Sequence, residues 1–252
     1  MQSITIDKRY CGPPNSANGG YVCGMLARAI GGSAEITLRA PPPLGRPLEI
    51  VTGADGAAEL RDQQIVLATG RPVQLDVAEI PTLSFFEAEA AARRSTYADE
   101  NTHKLPGCFV CGPGRADGDG LRIFVGPLPT TSIRGVEAFA APWVPPADLA
   151  GDDGHVAGEF VWAALDCPTG GACVGAHHLE VSGDEHILLG RMAQIYQRPM
   201  PGDRCVLVAW ATGRDGRKLF ANSALLGPGG AVLATAKATW LIVDRQAAQR
   251  QG

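Results

Sequence analysis

The chain has 252 residues, enough for one large domain or two of ordinary size. Hydrophobic residues make up 45% and charged residues 19%, so a packed core is expected and a disordered chain is excluded. The formal net charge is -4, no basic stretch is longer than Arg93-Arg94, and no apolar run approaches the ~20 residues of a membrane span. These totals argue against a nucleic-acid partner and against a transmembrane protein.

Residues 1–14, MQSITIDKRYCGPP, lack an apolar core behind a basic start and read as having no signal peptide. Asn18 is an N-cap candidate, and whether it also meets a ligand is open. The segment after it, GGYVCGMLA from Gly19 to Ala27, reads as an apolar helix. Strand-like runs follow at Ala34–Ala40, Leu48–Thr52, Ala57–Leu60 and Gln64–Leu75. Turn signals such as Ala54-Asp55-Gly56 separate them. Ser84–Arg94 has good helix formers with acidic residues before basic ones and reads as a connector helix, with Ser95–Leu105 as a polar linker.

Beyond the linker lies Cys108-Phe109-Val110-Cys111-Gly112. A structural zinc needs four ligands, and no second CxxC or paired histidine motif completes this set, so no metal is expected there. The seven cysteines are odd in number and scattered, which suits reduced thiols in a cytoplasmic protein. Further strand-like runs occur at Leu121–Val125 and Ile133–Ala140. GEFVWAALD, from Gly158 to Asp166, reads as a second helix, and Pro168 suggests that it ends nearby. Ile187–Arg198, Cys205–Thr212, Lys218–Leu226 and Val232–Val243 read as the remaining strands. His155 and the pair His177-His178 suit loops or the surface better than a pocket.

Two features repeat in the same order. GGYVCGMLA and GEFVWAALD share the first glycine, an aromatic at the third place, Val at the fourth and Leu at the eighth. The tetrapeptide VLAT then occurs at Val66–Thr69 and again at Val232–Thr235. One helix followed by an antiparallel meander, used twice, predicts an α+β tandem hotdog: two curved antiparallel sheets joined, each wrapping a central helix. The expected boundaries are residues 1–83 for the first repeat, 84–105 for the connector, 106–245 for the second repeat and 246–252 for a tail.

With Asn18-Gly19-Gly20-Tyr21 opening an apolar helix, the chain resembles the double-hotdog acyl-CoA thioesterases of the thioesterase II type. It is also similar to the phenylacetic-acid-pathway thioesterases, in which a catalytic Asp follows the first glycine of such a helix by eight residues. Asp166 follows Gly158 by eight. The resemblance implies a thioesterase acting on an acyl-CoA or acyl-carrier thioester, without a cofactor, in an assembly that can be a homo-oligomer. Eight residues of helix cover ~12 Å, so Asp166 cannot act at the start of its own helix. It could act at the start of an antiparallel neighbour, where Asn18, Gly19, Gly20 and Tyr21 would bind the substrate and the first-turn N–H groups would meet an oxyanion. Ala27 stands opposite Asp166 in the repeat match, and Glu159 opposite Gly20, which predicts one live site and one degenerate site.

Other readings stand beside this one. Asp166 could be a solvated helix-end carboxylate, although Asp is unfavourable near a helix C-terminus. The thioesterase II pattern supplies Gln and Thr or Ser partners to its Asp, and the Gln position falls near Ala238 here. Thr169, Asn222, Ser223 and Thr239 are the possible substitutes. That departure keeps open a non-catalytic or weakly catalytic acyl-thioester binding protein. A hotdog dehydratase would show an Asp/His pair in a hydratase motif, which is not found.

Overall fold

The computed structural model describes residues 2–77, 79–176 and 184–244. Eleven strands form one sheet in the order β1-β3-β4-β5-β2-β8-β11-β10-β9-β7-β6. The first repeat contains β1 (Gln2–Thr5), α1 (Gly19–Ile30), β2 (Ala34–Leu38), β3 (Pro47–Thr52), β4 (Ala58–Asp62) and β5 (Ile65–Pro72). The connector helix α2 spans Phe85–Ala92. The second repeat contains β6 (Gly126–Ile133), β7 (Val136–Trp143), α3 (Gly158–Ala164), α4 (Asp166–Ala176), β8 (Asp184–Ile195), β9 (Cys205–Asp215), β10 (Lys218–Leu226) and β11 (Val232–Asp244).

With β6 set aside as an extra edge strand, the two halves have the same internal order: β1-β3-β4-β5-β2 corresponds to β7-β9-β10-β11-β8. The two VLAT segments lie in the equivalent strands β5 and β11. The halves join through an antiparallel pairing of β2 with β8, in register from Ala34↔Ala193 to Thr37↔Gly190. The α+β tandem hotdog architecture predicted from the repeat is the observed one.

Strand patterning decides which side chains face the helices. In β4, for example, Ala58, Leu60 and Asp62 are buried while Glu59 and Arg61 are half-buried. That period of two puts one side of the strand against the helix layer. The helix α1 starts at Asn18, whose Oδ1 accepts the Tyr21 N–H, and stops at Gly31, which has φ +79°. Every residue from Gly20 to Ala27 is buried, the mark of a helix enclosed on all sides. The sheet covers one side of it and α3 the other. On the opposite face of the sheet, Ala88 and Ala91 of α2 close a second core with Leu75, Val208, Trp210 and Leu226. A capping box between Ser84 and Glu87 opens α2. Among the described residues, no helix is long and apolar enough to cross a membrane.

One expected strand is absent, and two features of the elements were not expected. The strand β1 has no strong pattern of its own and is held by pairing with β3, Gln2↔Ile50 through Thr5↔Pro47. Residues 121–125 alternate in burial but are not a strand. The Leu121 and Ile123 N–H groups donate instead to the Phe109 and Val110 carbonyls, at 2.8 and 2.9 Å. The helix of the second repeat ends close to Pro168, as expected, breaking at Leu165, but it restarts at once as α4, with Pro168 in the new first turn. A proline fits there because it lacks only an N–H that the first turn leaves unpaired. The pair His177-His178 lies outside the described residues.

Candidate active site at the helix crossing

The helices α1 and α3 cross antiparallel. The start of α1 meets the α3–α4 junction, and the later turns of α1 meet the start of α3. Two glycines allow the contact. A Cβ on Gly20 would stand 2.6 Å from the Asp166 Cβ and 2.9 Å from the Trp162 carbonyl oxygen. One on Gly24 would stand 2.5 Å from the Glu159 Cα. The missing side chain of Gly20 lets the second helix approach the backbone.

Asp166 stands at this crossing and is 2% exposed. Its Oδ2 accepts the Gly20 N–H at 2.8 Å, and its Oδ1 accepts Nη2 of Arg191 at 2.6 Å. The solvated helix-end reading of Asp166 is thus excluded. Because the helix restarts, Asp166 sits in the first turn of α4, where the helix dipole favours a carboxylate. Burial pushes its carboxyl above the ordinary range, while the Arg191 guanidinium and the Gly20 N–H pull it back; the net direction is upward. A guanidinium in contact cannot give up its proton, so it needs the carboxylate as counter-charge and the pair is ionised.

Arg191 comes from β8, and its side chain has no exposed surface. Sequence reasoning missed it. The available signal was a lone arginine in the apolar run of β8, Leu188-Leu189-Gly190-Arg191, because a buried guanidinium requires an anion. Thr169 lies one turn beyond Asp166 and closes the network. Its hydroxyl donates to the Asp166 carbonyl at 2.7 Å and accepts the Trp240 indole N–H at 2.8 Å. Arg191 Nη2 also reaches the Thr169 hydroxyl, at 3.4 Å.

The remaining candidates separate clearly. Asn18 caps α1, accepting the Tyr21 N–H at 2.9 Å, and its Nδ2 donates toward the Cys108 sulfur at 3.9 Å. Gly19 is half-buried, the most open residue of the first turn. Tyr21 stacks on Tyr10 with ring centroids 4.4 Å apart, and Phe109 and Phe160 complete that aromatic cluster. Burial pushes the Tyr21 phenol well up, so it stays protonated. Ser223 is buried and donates to the Leu165 carbonyl at 3.0 Å, filling the gap left by the helix break. Asn222 faces the other way by strand alternation. It lines a groove on the outer face of the sheet with Glu35, Thr37, Lys218 and Lys237. Thr239 lines that same outer groove, and Ala238 is a buried core residue. Thr169 therefore joins the Asp166 network, Ser223 braces the helix junction, and Asn222 and Thr239 line the outer groove instead.

The reciprocal crossing carries different residues. Glu159 occupies it, its Oε1 bonded to Nη1 of Arg28 at 3.1 Å, with Ala27 in place of a second carboxylate. His155 is a turn residue beside Asp153. Cys23 is fully buried, and burial pushes its thiol up to about 12.

The CxxC segment packs beside the same crossing. The sulfurs of Cys108, Cys111 and Cys167 all lie within 4.8 Å of one another. The expectation that no further ligand joins the CxxC pair is corrected. Cys167, the residue after Asp166, brings a third sulfur from α4.

Solved structures share this architecture. A tesB protein of Mycobacterium avium subsp. paratuberculosis is 13% identical and has a TM-score of 0.60, over 92% of this chain and 89% of its own. An acyl-CoA thioesterase II, TesB2, of Mycobacterium marinum is 11% identical with a TM-score of 0.59, over 97% and 93%. A conserved hot dog fold protein of unknown function from Alicyclobacillus acidocaldarius is 12% identical with a TM-score of 0.57, over 96% and 92%. No family model matches the sequence, and no curated protein matches it. The chain is a double hotdog, with the fold of the thioesterase II structures.

Proposed function

We propose that the chain hydrolyses an acyl thioester, carried on coenzyme A or an acyl carrier, at the crossing of α1 with α4. The observation that carries this reading is Asp166, delivered by the second repeat to the first turn of the first-repeat helix and held there by Gly20 and Arg191. The shared fold with an acyl-CoA thioesterase II supports it.

The chemistry follows from the groups present. Each carboxylate oxygen has two lone pairs, and Asp166 uses one on each side for Gly20 and Arg191. The remaining lone pairs can take a proton from water as its oxygen bonds to the thioester carbonyl carbon. The Gly19 N–H, at the first helical position, has no partner within the helix and can meet the oxyanion. As the C–S bond breaks, the proton held by Asp166 returns to the departing thiolate, leaving a carboxylic acid and a thiol. Arg191 and Thr169 act as positioning residues, fixing the carboxylate and the turn that bears it. Glu159, tied to Arg28 and facing Ala27, marks the degenerate half. Seven free cysteines support a reducing compartment.

The test is single-turnover hydrolysis across an acyl-CoA panel. Asp166→Asn is expected to keep the fold and lower turnover by at least ~100-fold, the scale for losing a positioned acid–base group. Glu159→Gln should have a much smaller effect. An Asp166→Asn protein of normal turnover overturns the reading. Micromolar binding by the unmodified protein without hydrolysis replaces it with an acyl-thioester binding protein.

A further inference from the structure

The three-cysteine cluster is not used by the proposed hydrolysis, and its chemistry is specific. Cys108 and Cys111 come from the turn after the linker and Cys167 from α4; the first two are buried and the third half-buried. The Cys108 and Cys167 sulfurs are 3.9 Å apart. A disulfide needs ~2.05 Å. Thiolates at ~2.3 Å from one tetrahedral zinc stand ~3.8 Å apart, which the Cys108–Cys167 pair matches, and all three sulfurs lie within 4.8 Å of one another.

The turn itself is tightly built, and its Cys108 sulfur is in hydrogen-bond contact with the Cys167 sulfur. Gly112 closes the turn with its N–H on the Cys108 carbonyl at 2.9 Å. A side chain there is excluded, since its Cβ would lie 2.4 Å from the Pro106 carbonyl oxygen. Asn18 adds a further donor to Cys108 from the cap of α1.

We propose that Cys108, Cys111 and Cys167 form a three-thiolate site for a thiophilic divalent cation, Zn(II), that ties the CxxC turn to the start of α4. Binding releases the thiol protons to solvent and involves no change of oxidation state. The fourth position is left to a non-protein ligand, as in zinc sites with three protein ligands. A cation there clamps the residue next to Asp166 to the turn that packs on the α1 cap.

The experiment uses the full chain, reduced and stripped of metal, with Zn(II) or Co(II) added. One equivalent of Zn(II) should survive desalting. Co(II) should give sulfur-to-metal charge-transfer absorption in the near ultraviolet. Cys111→Ser and Cys167→Ser should each weaken binding by more than roughly 10–100-fold, the scale already reached by changes outside the ligand set. Cys173→Ser should leave it unchanged. Thiol counting on the unaltered protein needs no variant: Zn(II) should protect three of the seven thiols from a thiol reagent. Failure to retain Zn(II), absence of charge-transfer absorption, or equal thiol reactivity with and without Zn(II) overturns the proposal.

Discussion

Replacing Arg191 with Met isolates the central electrostatic feature of the crossing. In the folded protein the Arg191 side chain is 0% exposed and that of Asp166 is 3%, so the pair has no access to solvent screening. Removing one member leaves the Asp166 carboxylate with the Gly20 N–H alone. Stranding a buried charge costs about 3–5 kcal/mol. For a chain of this size each kcal/mol moves Tm by ~2–4 °C, so Arg191→Met should lower Tm by roughly 6–20 °C. Adding Asp166→Asn removes the stranded charge, and the amide oxygen can still accept from Gly20. The double variant should therefore recover most of the loss, even though it lacks two native side chains. Thermal unfolding of the four proteins by circular dichroism completes the cycle. A double variant no more stable than Arg191→Met would refute the argument, because the damage would then come from lost packing rather than from an unpaired charge.

Two further predictions concern packing and local order. Gly24→Ala places a methyl group 2.5 Å from the Glu159 Cα, which is backbone and cannot swing aside. Overpacking of this kind costs about 1–3 kcal/mol, so Tm should fall by roughly 2–12 °C; an unchanged Tm would show that the helices separate freely. Ser84→Ala removes the hydroxyl that accepts the Glu87 N–H at 3.2 Å and should cost about 0.5–2 kcal/mol in denaturant unfolding. The proposed thioester turnover should not change with it, since α2 lies on the other face of the sheet.

The repeat was legible because both halves must solve the same problem. A helix enclosed by a curved sheet needs small residues where it crosses its partner and bulky ones elsewhere, and that leaves a readable pattern in GGYVCGMLA and GEFVWAALD. Asp166 was legible through the same alignment. Arg191 was not, because a β8 arginine looks like an ordinary outward-facing charge until the strand's place in the sheet fixes its direction. The helix restart at Asp166 was hidden for a related reason. Pro168 signals a break, but only the Ser223 hydroxyl at the Leu165 carbonyl shows how the chain continues through it. Cys167 stayed separate from the CxxC pair because sequence distance conceals what a helix crossing brings together.

The pairing of β2 with β8 gives the two halves a shared fate. Each of these strands would be a terminal strand if its own half stood alone, with a row of N–H and C=O groups facing water. In the intact chain Ala34–Thr37 and Gly190–Ala193 cover each other, so the open margins of the sheet are β1 and β6. Severing the chain between the repeats would release two adhesive margins and strip α1 and α3 of their mutual contact. Either fragment would meet those demands by capturing the other or by capturing its own kind. Tandem linkage thus acts as quality control, keeping the correct mate at high effective concentration while the sheet closes.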